Sequence, residues 1–415
     1  MKAFSSIILF LVFMSLVQLE SQWMYNTKDF IDRVKMSPDG SYIAAIGTSN
    51  GERVYVFNRN GSLLWKREGM SSLSFSKNNY VAVGGKDIAL LAGDGELLWE
   101  YKNISNIERI LISEYGEKVI GVGKKELYIL DRNGKLIARL MFNESIGASV
   151  SSCGCYIAVG TENGILYFFE DEKLIWTQRL SGRIYPLSVS ADGNYVVVGV
   201  GSKLHVFENN GKLLWSYSVE GNILDVGISE SNNYIAVESV ETGEVLGSTT
   251  VGTTHVYLFD KSGNVLWSQV LSPISYYSFG SGISDASGVF YYFDVSTSQN
   301  GEFVVAVVGS RVYLFNNEGK ILWESEVGEW SSVEISRDGK YIVIGSQNGE
   351  IKLLFNKYAR TLTKTETVTK TIVKTKTSTV TVTETKSVTR RVICGDGFII
   401  LLSLIILTRR RGTAS

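Results

Sequence analysis

The chain has 415 residues, a formal net charge of −1, 41 glycines, 3 prolines and 3 cysteines. Near-neutral charge leaves no broad basic field to hold nucleic acid, and three cysteines cannot build a disulfide framework. Plentiful aromatics and glycine with scarce proline suit an all-β fold with many tight turns.

Lys2 precedes an apolar run from Ile7 to Val17, and Gln18, Glu20 and Ser21 follow. A charged start, an apolar middle and a polar exit make a secretory signal over 1–21. The alternative, an uncleaved anchor, would need a longer run to span a bilayer.

One phrase then recurs: Ser-x-x-Gly, an aromatic, an apolar run, a second apolar strand, a turn with Gly, and Leu-Leu-Trp. A full copy runs from Ser190-Ala191-Asp192-Gly193-Asn194-Tyr195 to Leu213-Leu214-Trp215. Copies begin at Ser37, Ser76, Ser113, Ser151, Ser190, Ser229, Ser298 and Ser336. Most spacings, about 37–39 residues, are close to the ~40–45 of a four-stranded propeller blade. Six copies close with Trp65, Trp99, Trp176, Trp215, Trp267 and Trp323; the third has Ile137-Ala138 instead. The apolar runs are short, rich in Val, Ile, Tyr and Phe, and bounded by Gly, Asn and Asp, as strands are. Asn60-Gly61, Asn133-Gly134 and Asn210-Gly211 are turn pairs. Tyr341-Ile342-Val343-Ile344 is apolar on both faces, as a strand covered by two neighbouring blades must be. One Trp per blade predicts an inter-blade anchor, worth ~3–5 kcal/mol where fully buried.

The eighth copy has no closing strand after Lys352–Asn356, and Gln22-Trp23-Met24-Tyr25 belongs to no complete copy. Joining them closes the ring and hides its edges. The expected fold is an eight-bladed propeller over 22–357, closed by an N-terminal strand.

Two insertions break the period, Glu238–Thr254 between strands b and c of the sixth blade and Leu271–Tyr292 after its outer strand. Antiparallel blades put both on one face, opposite the a–b and c–d turns. The second holds Tyr276, Tyr277, Phe279 and Asp285 among Ser and Gly, the expected binding loop for a protein or glycan. Tyr291 and Tyr292 read more naturally as strand residues of the seventh blade.

No catalytic constellation emerges. His205 and His255 sit beside apolar strand residues, and two histidines are too few for a zinc site. No nucleophile elbow, phosphate loop or calcium loop is present. No metal or cofactor is expected. Cys153-Gly154-Cys155 replaces Asp192-Gly193-Asn194 of the next repeat, so it lies in a strand-to-strand turn as two thiols or a strained local disulfide. Asn60, Asn103 and Asn143 head N-glycosylation sequons in predicted turns.

The phrase Asp260-Lys261-Ser262-Gly263-Asn264-Val265-Leu266-Trp267 resembles the quinoprotein-like (PQQ-like) propeller repeat, and Ser336-Arg337-Asp338-Gly339-Lys340-Tyr341 is similar to WD-type repeats. The resemblance covers roughly 22–357 and implies a propeller. That family holds PQQ-dependent dehydrogenases as well as non-catalytic envelope scaffolds. A PQQ enzyme implies calcium, a catalytic Asp and usually a vicinal disulfide, and the cysteines here are not vicinal.

From Thr361 to Thr389 nearly every second residue is Thr. Such a stretch cannot pack a core and reads as an extended stalk over 358–391, reaching on the order of 100 Å at ~3.3 Å per residue. The apolar run Phe398–Leu407 would span only about 15 Å as a helix, against ~30 Å of hydrocarbon. Arg409-Arg410-Arg411 would stay cytoplasmic. Cys394-Gly395-Asp396-Gly397 and this run resemble archaeal Cys-Gly-Pro sorting signals, with Asp396 where that family has Pro. The resemblance implies a membrane anchor or sorting signal over 392–415, with Cys394 as a lipid site. Together these readings imply a non-enzymatic binding or scaffold propeller on the outer face of the membrane. The alternative is a quinoprotein-like oxidoreductase, or another enzyme, using the axial channel.

Overall fold

The computed structural model describes residues 19–49, 51–246, 249–277, 294–327, 332–359, 365–372 and 380–387, with backbone alone for 242–252, 272–277 and the last two runs. Eight four-stranded antiparallel sheets form a β-propeller over 19–359. Blade 1 comprises strands a (Ile31–Met36), b (Tyr42–Gly47), c (Arg53–Asn58) and d (Leu63–Glu68). Blades 2 to 7 follow as 70–101, 107–141, 146–179, 187–218, 222–277 and 294–326, in the same order. Blade 8 takes strands a to c from 332–356 and strand d from the N-terminal Leu19–Asn26. The expected closure is therefore present, with Trp23 opposite Leu353 and Tyr25 opposite Ile351. It begins earlier than expected: Leu19 and Glu20, assigned above to the signal, pair with Asn356 and Phe355.

Strand b shows why the sequence lacks polar alternation. Ile342 and Ile344 pack toward blade 7, while Val343 packs toward blade 1. Each recurring serine closes the a–b turn, its Oγ accepting from an N–H five residues on, as in Tyr42 to Ser37 (2.9 Å) and Tyr195 to Ser190 (2.9 Å), or four on at Ser76, from Tyr80 (3.0 Å).

Each Leu-Leu-Trp strand carries a bulge just before its tryptophan, between Val56 and Phe57 of the partner strand in blade 1. The bulge re-aims the indole toward the next blade. There most of the indoles cover the glycine of the next c–d turn and donate to a turn carbonyl: Trp23 to Arg59 O (2.7 Å), Trp65 to Gly93 O (3.0 Å), Trp99 to Arg132 O (2.8 Å) and Trp176 to Asn209 O (2.7 Å), whereas the buried indole N–H of Trp267 has no partner among the described residues. The anchoring role holds. All but Trp267 are only half-buried, so full-burial energies do not apply to them. The leucines before them lie at the periphery, Leu63 and Leu64 being 37% and 38% exposed.

The second unit contains one antiparallel pair, Thr365–Ile372 with Val380–Ser387. These are two runs of the threonine-rich stretch, and they pair with each other. The signal's first eighteen residues, Phe279, Asp285, Cys394 and the C-terminal tail with its expected helix lie outside the described residues. No helix among the described residues is long and apolar enough to cross a membrane.

Candidate functional site

Strand a of every blade lines the axis, and its alternation sorts side chains by layer. Val34, Ile110, Val226, Val295 and Val333 are buried between blades. The residues just before them, four ahead of each turn serine, form one axial layer with Arg33, Ser72, Arg109, Asp225, Asp294 and Ser332. Lys35, Ser149, Ser296 and Glu334 belong to the next layer.

Most of these polar groups stitch one blade to the next by accepting from its inner strand. Asp225 accepts from Val295 N (3.1 Å), Asp294 from Val333 N (3.1 Å) and the Ser332 hydroxyl (2.6 Å), and Ser332 Oγ from Val34 N (3.2 Å). Glu334 accepts from Met36 N (2.8 Å) and Ser72 Oγ from Ile110 N (2.9 Å). Peptide N–H groups that the axis would otherwise leave unpaired are thereby satisfied.

The layer is electrically lopsided, with cations on blades 1 and 3 and carboxylates on blades 6 and 7. Arg109 is ringed by protein yet open to solvent along the axis; this burial, then the charge of Arg33, lowers its pKa. Burial, then the charge of Asp294, pushes Asp225 up to about 7. Glu238, on strand b beside Asp225, is fully buried with both carboxylate oxygens unpartnered, and burial raises its pKa well above the usual range. Glu334 is raised by burial against the opposing pull of Lys35. Such a layer is suited to a small dipolar solute or a held proton.

At the face carrying the a–b turns, the residues after the turn serines cap the channel. Arg337 of blade 8 pairs with Glu230 of blade 6 and with Glu114 of blade 3 (3.4 Å), and Lys77 of blade 2 joins Glu114 (2.6 Å). The pairs lie beside an apolar collar that includes Phe75, Ile112 and Val189, lining an open hollow of about 210 Å³. Sequence reading missed both layers, although every member stands at a fixed offset from a turn serine.

The expected loops of blade 6 are strands. Strands b (Tyr234–Leu246), c (Thr249–Asp260) and d (Val265–Tyr277) run on past the blade, with Thr250 opposite both Val245 and Tyr276. Seven extra residues at ~3.3 Å each project about 20 Å. Both insertions do lie side by side on one face, because they are one hydrogen-bonded sheet. Tyr276 and Tyr277 belong to strand d, whereas Phe279 and Asp285 lie outside the described residues.

His205 and His255 occupy strands c of blades 5 and 6, ring to ring with Phe207 (6.1 Å) and Tyr257 (6.2 Å). Asn60, Asn103 and Asn143 are exposed at turns. Among the described residues no group of three or more His, Cys, Asp or Glu is arranged to hold a metal ion.

Eight antiparallel blades around a polar axis, closed by the N-terminal strand, define a β-propeller. Residues 123–289, from the end of strand b in blade 3 through blade 6, match the family model described as outer membrane protein assembly factor BamB. The fold and that partial match together support a PQQ-like β-propeller, the matched part being blades 3 to 6. No curated protein matches it.

Proposed function

We propose that the chain is a non-enzymatic binding or scaffold propeller displayed on the outer face of the cell membrane. The observation that carries this reading is the extension of blade 6, whose strands b, c and d run on past the blade and project a three-stranded sheet. Strand c of blade 8 ends at Asn356 on the opposite, turn-bearing face. A signal over 1–21, a stalk over 358–391 and an anchor over 392–415, with Cys394 as a lipid site, would export the propeller and hold it by that face. The extension then meets a protein or glycan outside. The matching family's description, an outer membrane protein assembly factor, names an envelope role that accords with export. Asn60, Asn103 and Asn143 are open to glycans.

The paired extension changes how the test must be built. Replacing 271–288 alone would strip strand c of its partner. The variant should trim 241–253 and 272–293 together, joining the blade with short Gly-Ser turns. Circular dichroism should be unchanged, and retention of envelope components in a pull-down should be lost. A trimmed protein that folds and keeps every partner would move the site to the axial mouth.

A further inference from the structure

The a–b turns of blades 1, 5 and 8 share one device. The residue two after the turn serine is an aspartate, and its carboxylate accepts from the serine hydroxyl and from the N–H two residues on. Asp39 accepts from Ser37 (2.7 Å) and Ser41 N (2.9 Å), Asp192 from Ser190 (2.6 Å) and Asn194 N (3.0 Å), and Asp338 from Ser336 (2.8 Å) and Lys340 N (3.1 Å). The turn is thus a cradle for one acceptor atom, filled by the amide oxygen of Asn300 in blade 7 and by a carboxylate in these three blades. All three carboxyls lie below their usual range, because these hydrogen bonds outweigh burial.

Blade 4 places Cys153 in that cradle. Its Sγ accepts from Cys155 N (3.1 Å) and lies 3.3 Å from Ser151 Oγ. Cys153 is exposed, and Gly154 takes φ +70°. Burial opposes ionisation of Cys153, but the hydrogen bonds from Cys155, Ser151 and the turn amides prevail and lower its pKa. Burial first, then the shared hydrogen bond, pushes Cys155 up to about 11. The two sulfurs are thus unequal, Cys153 the more readily ionised and Cys155 the less.

We infer that Cys153 and Cys155 form a thiol–disulfide exchange site for an exogenous disulfide, such as that of an oxidised peptide, with Cys153 as the attacking thiolate and Cys155 as the resolving thiol. The Cys153 thiolate attacks one sulfur of R–S–S–R. The Cys153–S–R bond forms and the R–S–S–R bond breaks, releasing one RS⁻, which takes a proton from solvent. Cys155 then loses its proton and attacks Cys153 Sγ. The Cys153–Cys155 bond forms and the second RS⁻ leaves. Two thiols have been oxidised and one disulfide reduced to two thiols. A bridge across a single residue gains little from loop closure, so it is readily reduced back by thiols. This site stands whether or not the blade 6 extension binds a partner.

The test uses the purified full chain, with each cysteine followed by peptide mass spectrometry. Iodoacetamide at pH 7 should alkylate Cys153 about tenfold faster than Cys155, the order that thiolate fraction dictates. Ser151→Ala should slow Cys153 and move its pH midpoint upward, since one donor to the sulfur is gone. Oxidised glutathione should leave the wild type with a Cys153–Cys155 bridge, and Cys155→Ser with a stable glutathione adduct on Cys153. Cys153→Asp restores the cradle of the sibling blades, so it should melt like the wild type and form neither product. Equal alkylation rates at the two cysteines, or a wild type that accumulates the glutathione adduct without bridging, would overturn the proposal.

Discussion

Closure of the ring by the N-terminal strand is open to a quantitative test at Trp23. The indole covers Gly61 of blade 1, lies 5.7 Å from the Phe57 ring and donates to Arg59 O at 2.7 Å. Trp23→Ala removes a half-buried side chain, about half of the ~3–5 kcal/mol of a full burial, or ~2 kcal/mol. The lost hydrogen bond adds ~1 kcal/mol. Unfolding entropy of about 2.1 cal/mol/K per residue over roughly 340 residues is about 0.7 kcal/mol/K, so ~3 kcal/mol lowers Tm by about 4 °C. Deleting Gln22–Tyr25 also removes Tyr25, whose ring lies 4.8 Å from Phe57, and leaves strand c of blade 8 as a bare edge. That loss should be on the order of 6 kcal/mol, or about 9 °C. Gly61 supplies an internal control. A Cβ there would fall 2.7 Å from the Trp23 ring, and φ is +85°. Gly61→Ala should therefore cost more in the wild type than in Trp23→Ala, where only the backbone strain remains. Calorimetry on the wild type, the two single variants, the double variant and the deletion decides it. Strictly additive losses, or a deletion that melts within a degree of wild type, would refute closure through this contact.

The remaining predictions concern charge and anchoring. A carboxyl whose pKa rises on folding adds stability that is complete below its unfolded value near 4 and is lost as pH climbs through its folded value. Asp225 and Glu238 should thus make the propeller less stable at pH 8 than at pH 5, and Glu238→Gln should narrow that gap in Tm; a variant less stable than wild type at pH 8 would mean that ionised Glu238 has a partner. Asp39, Asp192 and Asp338 act oppositely, so acid unfolding should begin below about pH 4 and start earlier when Asp338 is replaced by Asn. Truncation before Cys394 should release protein to the medium, and fractionation that finds it still on membranes would point to another attachment.

What the sequence disclosed was local. A serine hydroxyl accepting from the N–H five residues on, as Ser37 does from Tyr42, fixes a turn within one short phrase, and that phrase repeats eight times. The orphan Trp23 was legible because it bore the same aromatic as the other closing strands. The extension of blade 6 was not. Thr249-Thr250-Val251-Gly252 looks like loop by its Gly and Thr, and only strands b and d on either side make it a strand. Glu238 heads what looked like an insertion, yet it is the fifth residue of a buried strand. The charged layers need the repeat to be aligned first. Arg33, Arg109, Asp225 and Asp294 are far apart in the chain and become neighbours on the axis only because each precedes its turn serine by four.

The places where the repeat lapses also explain one another. At most junctions an indole from strand d fills the space over the next c–d turn, and an aromatic opening strand b packs beside the next blade's turns. Blade 3 alone lacks both, with Ala138 for the tryptophan and Lys118 for the aromatic. Blade 4 answers the first loss with a shorter turn at Asp171-Glu172 that has no glycine, since no indole needs room there. It answers the second with an ion pair, Lys118 to Asp171. Gly154 then meets Ser113 and Lys118 where Gly193 meets Tyr156. Cys153 and Cys155 lie at this junction, the one freed of both aromatic covers, beside a lysine whose charge favours a thiolate at Cys155. A tyrosine at 118 should therefore stabilise the fold through packing and slow the second, resolving step of exchange, leaving attack by Cys153 nearly unchanged. Lys118→Tyr examined by melting temperature and by the lifetime of the glutathione adduct separates the two effects. An adduct no longer lived than in wild type would show that the missing aromatic serves neither thiol.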